Sequence, residues 1–210
     1  MIRVLIADDH AIVRQGLKQI LEESREMKVV AECASGADAL HWMRVNDCDV
    51  AVLDIAMPGM SGIDVLKQLH EEKPALPILI LSIYSEDQYA LRLIKAGAAG
   101  YLTKESAPEV VVEAVRRVIS GKKYISPAVA EMLVNDLGTP AEESPHETLS
   151  EREYQIFRLL ASAKTVSEIA DELGLSVKTV STYRTRTLEK MQLRNNAELM
   201  RYAVEKHLLE

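Results

Sequence analysis

Apolar residues along the chain fall into short runs that alternate with stretches of helical spacing. Ile2 to Ala7, Val29 to Cys33, Val50 to Leu53, Ile78 to Leu81 and Tyr101-Leu102 are too short for helices and are bounded by turn residues. Such runs read as strands buried on both faces. Between them, Val13, Leu17, Ile20 and Leu21 recur at helical intervals, as do Ile63, Leu66 and Leu69 and then Val111, Val115 and Val118. Gly36 to Met43 carries a further helix with Ala37, Leu40 and either Trp42 or Met43 inward, and Glu86 to Ala96 another that Gly97 stops. Ser61-Gly62 opens the third helix, and Pro108 opens the fifth, at a first turn where its missing N–H costs nothing. Five strands alternating with five helices predict an α/β doubly wound five-stranded parallel sheet with right-handed crossovers.

The periodicity then changes. Ser126 to Leu133 reads as a short helix, and Asn135 to Glu147 (NDLGTPAEESPHE) as a mobile linker rich in Pro, Gly, Ser and acid. Ser150 followed by Glu153 is a capping box that opens a helix burying Ile156, Leu159 and Leu160. Thr165 to Leu173 is a second helix, Gly174-Leu175 a turn, Ser176 the N-cap of a third, and Asn196 to Leu208 a fourth. The expected division is 1–121 for the sheet domain, 122–147 for a connecting helix and linker, and 148–210 for a small all-α domain.

Charge separates the same two parts. Residues 146–210 carry ten basic and ten acidic residues, and residues 1–145 carry 15 and 22, so the whole net charge of −7 belongs to the first part. Cys33 and Cys48 suit neither a disulfide framework nor a metal cluster. The Met1-Ile2-Arg3 start lacks a signal-peptide layout, and no apolar run reaches membrane-spanning length. A soluble protein of the reduced cytoplasm is expected, with no membrane partner.

Chemistry collects at the predicted strand ends. Asp8 and Asp9 follow the first strand, Asp54 ends the third, Ser82 the fourth, and Lys104 follows the fifth. The carboxyl edge of an open parallel sheet is where ligands bind. Taken singly, Asp8-Asp9 reads equally as a helix cap, Ser82 as a turn residue and Lys104 as a solvated cation. Together, three converging carboxylates call for a cation, and hard oxygen ligands favour Mg²⁺. An aspartate with Mg²⁺ and lysine beside it can act as a nucleophile toward a phosphoryl group.

With these residues in place, Met1 to about Gly121 resembles the receiver domain of bacterial two-component response regulators. The resemblance implies a flavodoxin-like strand order 2-1-3-4-5. It implies Asp54 as phosphoacceptor, with Asp9, Asp54 and the Ala56 carbonyl as direct Mg²⁺ ligands and Asp8 acting through water. Ser82 and Lys104 would contact the phosphoryl group, and Ser82 with Tyr101 would form the switch, Tyr101 turning inward. Ala56 stands where receivers often carry Asn or Arg, Tyr84 lies two residues after Ser82, and Glu105 replaces a common Pro.

In the second part, the helix from Ser176 shows Lys178, Ser181, Thr182, Thr185 and Arg186 opposite Val180, Leu188 and Met191, with Arg184 at the edge. Such a polar outer face after a Gly-containing turn suits a recognition helix in a major groove or a solvated surface helix. Thr148 to His207 resembles the LuxR-type helix-turn-helix of the NarL/FixJ family, through LSEREYQIFRLLA, VSEIADELGLSVKTVSTYRTRTLEKMQL and NAEL. The resemblance implies base-facing Ser181, Thr182 and Thr185, phosphate-facing Lys178, Thr179, Tyr183 and Arg186, and a dimer helix led by Leu199, Tyr202 and Ala203. Tyr183, where His is common, and Asn195-Asn196 depart from the family pattern. The whole chain is then expected to be phosphorylated by a sensor histidine kinase and to bind double-stranded promoter DNA as a homodimer. It is expected to be no enzyme beyond its own Asp54 phosphorylation and dephosphorylation. The alternative is a DNA-binding regulator that ignores phosphorylation, its receiver serving as a scaffold.

Overall fold

The computed structural model describes residues 1–138, 144–206 and 208–209, so the centre of the expected linker lies outside the described residues. The chain forms two compact units, 1–138 and 139–210.

The first unit is a parallel five-stranded sheet of order β2-β1-β3-β4-β5, built from β1 (Ile2–Ala7), β2 (Met27–Cys33), β3 (Val50–Asp54), β4 (Ile78–Ser82) and β5 (Gly100–Thr103). Every residue of β3 and β4 is buried, as the uninterrupted apolar runs require. α1 (Ala11–Glu23) and α5 (Pro108–Ile119) set Leu17, Leu21, Val111 and Val115 against Val4, Val52 and Leu79 on one face. α2 (Gly36–Val45), α3 (Gly62–Glu72) and α4 (Glu86–Lys95) flank the other face, where Leu5, Leu53 and Ile80 are fully buried. In α2 it is Met43 that is buried, with Trp42 half-exposed. Cys33 and Cys48 are free thiols, each pushed up to about 11 by burial.

Several boundaries move, two of them for reasons visible in the packing. β2 starts at Met27 rather than Val29 because Lys28 points outward while Met27 packs inward. The short helix expected over 126–133 is a longer α6 (Pro127–Gly138), which packs on α4. Ser126 Oγ donates to Glu86 Oε2 at 2.5 Å, Val129 is buried, and Tyr124 bridges Gly100 beside β5.

The second unit begins with a 3₁₀ turn, Pro145–Thr148, and continues with α7 (Glu151–Ala161), α8 (Val166–Glu172), α9 (Val177–Lys190) and α10 (Asn196–Glu205). Ile156, Phe157, Leu160, Ile169, Val180, Leu199 and Ala203 form its interior. The Ser150 capping box forms, with Glu153 also paired to Lys190 at 2.7 Å. His146 Nδ1 lies 2.8 Å from Tyr202 Oη, and both rings lie in an aromatic cluster with Tyr154 and Phe157.

Candidate phosphoacceptor site and DNA-reading helix

Parallel strands bring their carboxyl ends to one edge, and there the first unit gathers its acids. Asp54 is the last residue of β3, buried at 2% exposure, and Asp8 follows β1 at 1%. Lys104, just past β5, reaches both: Nζ lies 2.6 Å from Asp8 Oδ2 and 2.8 Å from Asp54 Oδ2. The free ends of the two carboxylates are fixed by backbone donors. His10 N–H donates to Asp8 Oδ1 at 2.8 Å, and Ala56 N–H to Asp54 Oδ1 at 3.3 Å. Burial pushes the Asp54 carboxyl up and Asp8 adds to that, against the opposing pull of Lys104. Burial acts on Lys104 in the opposite sense, but its two carboxylate partners outweigh it and hold the ammonium charged.

α3 helps to place Asp54. Its N-terminus runs so close to the strand end that Gly62 N–H donates to Ile55 O at 3.2 Å, and a Cβ at Gly62 would lie 2.0 Å from the Asp54 carbonyl oxygen. Glycine is needed here for backbone approach. Ser61 and Asp64 close a capping box that holds this turn.

The expected site residues Asp8, Asp9, Asp54 and Lys104 are brought together. Ligand atoms of Asp8, Asp9, His10 and Asp54 all fall within 4.8 Å of one another. Asp8 Oδ2 and Asp9 Oδ1 are met by Lys104 Nζ and His10 Nδ1. Hard oxygens so close together fit a divalent cation. His10 was passed over in the sequence, although it directly follows the acidic pair; its Nδ1 lies 2.7 Å from Asp9 Oδ1. A cavity of about 920 Å³ opens elsewhere, near Asp47, Cys48, Asp49 and Lys122 at the opposite sheet edge, and its lining includes none of these groups.

Ser82 is fully buried at the end of β4, its Oγ accepting the Tyr84 N–H at 3.2 Å, and Lys104 N–H donates to the Ser82 carbonyl at 2.7 Å. Tyr101 departs from the expectation of a ring that has still to turn inward. It is already inward at 3% exposure, its hydroxyl donating to the Tyr84 carbonyl at 2.7 Å. A buried phenol needs such a partner, and the β4–α4 loop supplies one. Burial pushes its pKa up.

In the second unit, α8 and α9 are joined through Gly174, whose positive φ of 60° suits glycine. α9 buries Val180, Thr187 and Leu188 and exposes Lys178, Ser181, Thr182, Thr185 and Arg186. Thr179 and Tyr183 are half-buried, and Arg184 is held by Asn196 Oδ1 at 2.7 Å. Val177, 51% exposed at the start of this face, was also missed; its place directly after the N-cap is the signal that would have found it.

The dimer-helix assignment needs correction. Leu199 and Ala203 are fully buried in their own domain, and Tyr202 is tied to His146. Leu199 and Ala203 are buried where α10 packs on α7. The exposed side of α10 instead carries Ala197, Arg201 and Val204, the last 63% exposed, with Met200 half-exposed. Helical spacing marks an apolar face without saying whose core it enters.

Comparison with known proteins follows the same division. A model of the response regulator receiver domain matches residues 4–116, and one of the LuxR family of bacterial regulatory proteins matches 147–203. Over 205 residues the chain is 39% identical to the response regulator UvrY of Escherichia coli (strain K12), covering 97% of this chain and 94% of that one. The response regulator GacA of Pseudomonas aeruginosa is 39% identical over 205 residues, with 97% and 96% covered. Among solved structures, RcsB from Salmonella enterica serovar Typhimurium, bound to promoter rprA in the presence of phosphomimetic BeF₃⁻, matches with a TM-score of 0.64. It is 26% identical and covers 96% of this chain and 97% of that one.

Proposed function

The chain belongs to the NarL/FixJ family of two-component response regulators, with a LuxR-type DNA-binding domain, and on that premise we propose that phosphorylation of Asp54 switches its grip on promoter DNA. The observation that carries the reading is the bridge from Lys104 to two buried carboxylates. Asp54 Oδ2 is the nucleophile: it bonds to phosphorus while the bond from phosphorus to the donor group breaks, and the donor leaves with the electron pair. A sensor histidine kinase or a small acyl phosphate is the donor. Asp9, Asp54 and the Ala56 carbonyl would hold Mg²⁺, with Asp8 reaching it through water. The ion would neutralise the carboxylates and the incoming phosphoryl oxygens.

Lys104 would exchange its contact with Asp54 Oδ2 for a phosphoryl oxygen, and the Ser82 hydroxyl would donate to another. Either movement disturbs the loop whose carbonyl receives Tyr101. The output is the second unit, which as a homodimer would set two recognition helices on successive half-sites. Its own Asp54 phosphorylation and hydrolysis would be the only chemistry, so the chain acts as a regulator and not as a turnover enzyme. No helix among the described residues is long and apolar enough to cross a membrane, which suits a cytoplasmic partner of kinase and DNA.

The test is binding to a genomic fragment pool at fixed salt, with and without acetyl phosphate and Mg²⁺. Tighter binding by phosphorylated wild type, absent in Asp54→Ala, is the expected result. Equal binding in all four arms would overturn the gating.

A further inference from the structure

Two threonine hydroxyl protons on the reading face of α9, those of Thr182 and Thr185, are already committed. Thr182 Oγ1 donates to the Lys178 carbonyl at 2.9 Å, and Thr185 Oγ1 to the Ser181 carbonyl at 3.1 Å. Ser176 and Thr179 share a hydrogen bond at 2.8 Å, and Ser176 Oγ also accepts the Thr179 N–H at 3.0 Å. A threonine bonded back to the carbonyl four residues earlier keeps its γ-methyl and its acceptor lone pairs but has no donor left. Val177, exposed in the first turn of the same helix, has no polar group at all.

The major groove gives this chemistry few matches. Guanine offers only acceptors there, so it needs a donor; adenine and cytosine present an amino group that a remaining lone pair can accept, and thymine offers a C5-methyl group that needs only apolar contact, the match for the γ-methyls. We infer that α9 reads thymine through that methyl group, using Val177, Thr182 and Thr185, while Lys178 and Arg186 hold phosphates. The inference rests on α9 being the helix that enters the groove. It names what the helix selects: A·T pairs whose thymine methyls lie beneath these three side chains.

The experiment uses the full chain, phosphorylated with acetyl phosphate, and the operator recovered from the genomic pool. Each thymine is replaced in turn by uracil, which lacks the methyl and keeps the pairing, and Kd is read by fluorescence anisotropy at fixed salt. Wild type is expected to weaken roughly fourfold per critical methyl removed, the factor that corresponds to burying one such carbon. The Thr182→Ser/Thr185→Ser variant keeps both hydroxyls and lacks both γ-methyls, so at the thymines beneath them its discrimination falls below about twofold on the same scale. Wild type binding every uracil operator as tightly as the thymine one would overturn the inference. So would full discrimination in the double variant, because the loss would then come from DNA shape. Lys178→Ala separates the two levels: uniform weakening on all fragments places α9 on DNA, and no effect would overturn the groove assignment itself.

Discussion

The same substitution, glycine to alanine, should have opposite effects at two places in the receiver unit. Gly16 lies exposed in α1 with no atom within 4 Å of a built Cβ, whereas a Cβ at Gly62 meets the Asp54 carbonyl oxygen at 2.0 Å and its carbon at 2.9 Å. An ordinary Cβ contact begins at 3.4 Å, so Gly62→Ala must displace backbone by 1.4 Å, 3.4 less 2.0. Both sides of the clash are main chain, one of them pinned by the Ser61 capping box and the other by its place in a fully buried strand. Overpacking of this kind costs about 3 kcal/mol, or about 6–12 °C in Tm for a chain of this size. Gly16→Ala removes only helix-interior glycine entropy and should gain about 0.5–1 kcal/mol, a rise of about 1–4 °C. Because the displaced atom belongs to the proposed phosphoacceptor, Gly62→Ala should also slow Asp54 phosphorylation by acetyl phosphate about a hundredfold, the scale of cost of a 1 Å misplacement. Calorimetry of the full chain and a phosphate-affinity gel time course read the two effects. A Gly62→Ala protein that melts with wild type and is phosphorylated at the wild-type rate would refute the claim that this close approach positions Asp54.

Three further outcomes are expected. Burial pushes Glu153 up, but Lys190 and the Ser150 N–H outweigh it and hold the carboxyl below its ordinary 4.5. The stabilisation is therefore present at neutral pH and lost as pH falls through that lowered value, so acid melts should show a steeper decline for wild type than for Glu153→Gln. Lys104→Met leaves Asp8 and Asp54 buried without their shared cation and should cost about 3–5 kcal/mol in EDTA, part of it restored by Mg²⁺, as measured by circular dichroism melts. Leu199→Ala should destabilise the second unit by about 2–5 kcal/mol, whereas Val204→Glu should leave its melting unchanged and weaken cooperative binding to a two-half-site operator in gel-shift titrations.

The parallel sheet and its acidic edge were legible because both rest on one-dimensional signals. Runs such as Val50–Asp54 have no polar side to turn outward, and in a parallel sheet their ends must meet. The errors share a different cause. Composition placed a linker from Asn135, yet α6 continues to Gly138 once packed on α4. The spacing of Leu199 and Ala203 marks a buried face and cannot tell one core from another. The inward Tyr101 and the back-bonded Thr182 and Thr185 are rotamer choices, set by which carbonyl lies within reach, and residue order does not record them.

On the proposed reading, charge added at Asp54 would be shared between the bound cation and Lys104. Two buried carboxylates and half-buried Asp9 face one lysine, and a phosphoryl group brings roughly 1.5 to 2 further negative charges. Lys104 must then divide itself differently, and its backbone is not independent of its neighbours. Lys104 N–H bonds Ser82 O, Ser82 Oγ takes Tyr84 N–H, and Tyr84 O takes the Tyr101 hydroxyl. Three consecutive hydrogen bonds thus connect the charge change to the ring between β4 and β5. Each is worth about 1 kcal/mol net, so remaking one to three of them supplies about 1–3 kcal/mol of coupling. Under the proposed gating that would correspond to a change of roughly 5–150-fold in DNA affinity. A regulator wired this way would shift promoter occupancy by degrees, and unphosphorylated protein at high enough concentration would still bind its operator.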